Sequence, residues 1–184
     1  MTKYIKAVRN PVLTSTTALL LALFTAGLAS ALDNNLQISG TLVTEPCSLD
    51  VNNNTLTVDF GTIIEKGLYK DVRTPGFPLT ITLTECDISL GKLVNLTFTG
   101  AESAALPGYL ATTGAGSTGV AIGIETPDGV NLPLNKATPG YALQDGTTQI
   151  ALQAYVEAEP EAIKNQSLVP GEFSATATID AEYP

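Results

Sequence analysis

The stretch from Gly171 to Pro184, GEFSATATIDAEYP, alternates without a break. Phe173, Ala175, Ala177, Ile179, Ala181 and Tyr183 take every second position. Ser174, Thr176, Thr178, Asp180 and Glu182 fill the gaps. A period of two is that of a β-strand with one apolar face and one wet face. Strands at chain ends fray unless neighbours hold them, so this one predicts a partner along each edge. The partner on the far edge need not belong to the same chain.

The opposite end of the chain predicts export. Lys3, Lys6 and Arg9 precede an apolar run centred on Ala18 to Phe24, and Ala29-Ser30-Ala31 has the form of a cleavage site. Residues 1–31 therefore read as a secretory signal peptide, with the mature chain beginning near Leu32. The apolar run is shorter than the ~20 residues of a membrane span, which argues against an anchor. In an oxidising compartment the two cysteines, Cys47 and Cys86, are expected to form one disulfide. A zinc site would want further Cys or His, and the chain has no His. No metal and no cofactor are expected.

After loss of the leader, roughly 150 residues remain, enough for one domain with its own core. The net charge is -9, and three of the nine basic residues lie in the leader. That balance argues against nucleic acid or anionic lipid as a partner. With no Trp, the core must be built from Val, Leu, Ile and Ala.

Short alternating segments recur along the mature part: Leu36 to Thr44, Leu56-Val58-Phe60, Leu79-Ile81-Leu83 and Leu93 to Phe98. Val120-Ile122-Ile124 follows, and Thr126-Pro127-Asp128-Gly129 turns it into Val130 to Leu134 as a hairpin. Ile150 to Val156 is the next strand, with Tyr155 on its other face. Asn52 to Asn54 reads as a turn, Gly100 to Gly119 as a loop, and Glu157 to Glu161 as a charged loop. No segment has a helical stripe of ten or more residues. This pattern predicts an all-β fold, a sandwich of immunoglobulin type.

Catalysis finds little support. The usual general base and triad are missing without His, and bridged cysteines supply no thiolate. The carboxylate pairs Glu157/Glu159 and Glu125/Asp128 fall next to turn residues, where solvated charge is the ordinary reading. The chain is not expected to be an enzyme.

Taken together, these residues resemble the subunits of chaperone–usher pili, the type 1 fimbrial protein family. The resemblance covers nearly the whole mature chain. It rests on the alternating leader Leu36 to Leu42, on Pro46-Cys47 with Cys86 after a strand, and on Gly119 to Ile124. Ala154-Tyr155-Val156 and the tail, with a glycine fourteenth from the end and a penultimate tyrosine, complete it. The resemblance implies an incomplete immunoglobulin-like β-sandwich lacking its last strand, completed by a donor strand from a partner. It implies three parts: a signal peptide (1–31), a donor-strand extension (32–44) and a pilin domain (45–184).

It also implies a route. A periplasmic pilus chaperone lends a strand to the groove beside the terminal strand. At the outer-membrane usher, a neighbouring pilus subunit's extension replaces it; chaperone–pilin complementation is a known instance of recognition by β-strand addition. The donor residues would be Leu36, Ile38, Gly40 and Leu42. The receiving strand would be Gly171, Phe173, Ala175, Ala177, Ile179, Ala181, Tyr183 and Pro184, whose terminal carboxylate the chaperone would anchor. The product would stand at the cell surface, in the fimbrium, supporting cell adhesion. Two alternatives stay open: an extension that folds back into its own sandwich, and a secreted carbohydrate-binding β-sandwich.

Overall fold

The computed structural model describes residues 44–49 and 56–184. The expected signal peptide (1–31), the expected donor residues Leu36 to Leu42 and the expected Asn52–Asn54 turn lie outside the described residues. In chain order the elements are β1 (Ser48–Leu49), α1 (Glu65–Asp71), β2 (Phe77–Cys86), β3 (Leu93–Gly100) and β4 (Leu110–Ala111). Then come β5 (Val120–Glu125), β6 (Tyr141–Ala142), β7 (Gly146–Ala158), α2 (Pro160–Asn165) and β8 (Ala177–Glu182).

The strands form two antiparallel sheets, one ordered β1-β2-β7-β5-β4 and the other β6-β3-β8. β7 is the spine of the first. Its first half pairs with β2, from Cys86↔Gly146 to Phe77↔Ala154, and its second half pairs with β5, from Glu125↔Gln153 to Val120↔Ala158. Period-two burial selects the inner faces: Leu79, Ile81 and Leu83 on β2, Ile150, Leu152, Ala154 and Val156 on β7, and Val94, Leu96 and Phe98 on β3. These side chains form one core between the sheets, the sandwich expected from the sequence.

Cys47 and Cys86 are bridged across 39 positions. Closing a loop of that length stabilises by roughly 4 kcal/mol in the chain-entropy model. Beside the bridge, the Asp87 N–H donates to the Pro46 carbonyl at 2.8 Å.

Several segments depart from the sequence reading: the expected Gly100–Gly119 loop contains β4, and only Ala177–Glu182 of the alternating tail is strand. Residues 56–60 form no paired strand; Val58 and Phe60 are only half-buried. Glu157 lies within β7, and the supposed charged loop continues into α2, which has Pro160 in its first turn, Glu161 near its N-terminus and Lys164 near its C-terminus. That arrangement suits a short helix, but six residues are too few to show a stripe. α1, with Leu68 buried, has seven residues. The Thr126–Gly129 turn forms, yet its return limb makes only a bridge, Glu125↔Asn131, before Leu132 and Leu134 enter the core.

Candidate functional site

The terminal segment alternates as the sequence requires, but its inner face is half-buried throughout, from Phe173 to Tyr183. Its neighbour β3 has the same alternation with Val94 and Leu96 at 0% exposure. The difference lies in what stands opposite. β8 pairs with β3, from Gly100↔Ala177 to Asn95↔Glu182, and among the described residues no strand pairs with its other edge. Among the described residues, a partner stands along one of the two edges.

Along that free edge runs a groove of about 740 Å³. Phe173, Ala175, Ala177 and Ile179 form one wall, Leu56, Val58 and Phe60 belong to the other, and Ile81 and Ile122 of the core lie at its floor. Thr80 to Thr82 of β2 also line it, and among the described residues β1 pairs with β2 at Leu83 and Thr84. Phe60 and Phe173 meet across the groove with ring centroids 6.3 Å apart.

Hydrogen bonds fix which backbone groups face the groove. Thr113 and Ser174 exchange N–H···O=C bonds of 2.8 and 2.9 Å, so Ser174 turns both groups away from it. The Leu96 and Phe98 carbonyls accept from Thr138 and Asn135, each at 2.8 Å, on the side of β3 opposite β8. Thr97 and Thr99 are therefore the β3 residues bonded to β8, opposite Asp180 and Thr178. In an antiparallel ladder successive residues point their backbone groups to opposite edges. Phe173, Ala175, Ala177, Ile179 and Ala181 thus present N–H and C=O to the free edge and their side chains to the core. One set of residues offers both the ladder and the apolar surface.

The remaining receiving-strand residues fall around this groove rather than in it. Gly171 sits at its entrance, packed backbone to backbone on Gly116. A methyl group on Gly116 would run into the Gly171 carbonyl oxygen, and the Gly116 N–H donates to the Glu172 carbonyl at 2.9 Å. Tyr183 lies past β8, where its hydroxyl donates to the Cys47 carbonyl at 3.1 Å. Burial, followed by the charge of Glu45, raises its pKa. Pro184 is exposed.

The outer face of β5 and β7 carries a cluster the sequence did not announce. Glu125 is 3% exposed and held by both terminal nitrogens of Arg73, at 2.9 and 2.6 Å. The same guanidinium lies 3.6 Å above the ring of Tyr155, which is 2% exposed. The Tyr155 hydroxyl is 2.9 Å from that of Tyr109, which donates to Glu157 at 3.1 Å. Glu125 and Glu157 are strand residues in a structural network, which corrects their reading as solvated loop carboxylates. Gly123 makes room for it, since a methyl there would strike the Tyr155 ring.

A sequence profile described as Fimbrial protein matches residues 36–184. The chain belongs to the fimbrial protein family. This fimbrial protein is 36% identical to the fimbrial adapter PapK of Escherichia coli, over 92% of this chain and 98% of that one. It is 29% identical to the putative minor fimbrial subunit PmfF of Proteus mirabilis, over 91% and 94%. Among solved structures it is similar to the P pilus rod subunit PapA, with a TM-score of 0.67 at 26% identity, covering 76% of this chain and 100% of that one. A subunit of a chaperone–usher pilus gives 0.66 at 26% identity, over 82% and 94%. The fimbrial fold is an immunoglobulin-like sandwich short of one strand, and the family is one of structural subunits of surface pili.

Proposed function

We propose that this structural pilus subunit assembles by strand donation, with the groove beside β8 as the acceptor and residues 32–44 as the extension that fills the neighbour's groove. Residues 1–31 direct export to the periplasm, where a chaperone strand occupies the groove first. At the outer-membrane usher the extension of the next subunit takes its place. Leu36, Ile38 and Leu42 enter the groove, and Gly40 falls on the same face at a tight point.

The observation that carries this reading is the half-buried inner face of Phe173 to Ile179 along an open edge. An incoming strand would satisfy five N–H and C=O pairs that have no partner among the described residues, which are costly to leave unmade beside an apolar core. Each large side chain it buries would contribute about 1.5–3 kcal/mol. Against this stands the entropy of ordering the extension.

The test uses the chain co-expressed with pilus chaperones. Recovery of a soluble one-to-one complex, followed by release of the chaperone on addition of a peptide spanning residues 34–42, is expected. A chain that melts cooperatively as a free monomer and ignores that peptide would overturn the proposal.

A further inference from the structure

We draw no further inference here: the strongest candidate, the uncharged outer face of β2 and β7 where Thr80 stands beside Ala151 and Thr82 beside Gln149, is an outward-facing sheet surface, and nothing among the described residues shows what covers it.

Discussion

Replacing Gly116 by alanine isolates the close approach that positions the groove wall. The new methyl must displace the Gly171 carbonyl, which is backbone and has no rotamer by which to yield. Overpacking of this kind costs about 1–3 kcal/mol. Moving the segment also strains the Gly116–Glu172 hydrogen bond, worth about 1 kcal/mol. The sum, about 2–4 kcal/mol, falls on the stretch that carries Phe173. Its lower end corresponds to roughly thirtyfold in affinity for a guest strand. The assay is binding of a labelled peptide spanning residues 34–42 to chaperone-released subunit, with thermal melts of both complexes. Gly67→Ala serves as the control: a methyl there meets nothing within 4 Å in α1, and helix propensity predicts a gain of up to about 1 kcal/mol. Equal guest affinity and equal melting for wild type and Gly116→Ala would refute the backbone-contact argument.

Three further outcomes are expected. Arg73→Ala leaves Glu125 buried without its partner and should cost about 3 kcal/mol in denaturant melts, the low end for a broken pair because Arg73 is partly exposed; adding Glu125→Gln should recover part of it. Tyr183→Phe removes only the bond to the Cys47 carbonyl, so stability should fall by about 1 kcal/mol while amide exchange quickens in residues 181–183. Burial raises the pKa of both Tyr109 and Tyr155 above the ordinary value of 10.0. The fold therefore favours their protonated forms, and stability should be intact below pH 10.0 and decline as pH rises above it. Tyr109→Phe should move that alkaline loss upward in a pH series of thermal melts.

The strands were legible where one face is core and the other water. β2, β3 and β7 follow their period of two, because burying one face of a pleated strand leaves few alternatives. Residues 56–60 alternate as well, yet alternation reports a buried face and not a hydrogen-bonded neighbour, so a groove wall reads like a strand. The outer cluster stayed hidden for another reason. Arg73 and Glu125 lie 52 positions apart, and no local pattern tells a carboxylate at the end of β5 from one in the following turn. The Gly116–Gly171 contact is similarly long-range. The tail was legible as a strand over Ala177–Glu182, while among the described residues Phe173 to Thr176 makes only a bridge at Ser174; its half-burial depends on what stands across the groove.

The disulfide has a mechanical consequence. A pull from the N-terminal side reaches Cys47 before Ser48 and Leu49 of β1. The covalent bridge hands that load to Cys86, at the end of the ten-residue β2, which is laddered to β7 from Phe77 to Cys86. Tension along β2 loads that ladder in shear, with its hydrogen bonds sharing the force, instead of peeling β1 away one bond at a time. Reduction of the bridge would return that load to β1 and its pairing with Leu83 and Thr84.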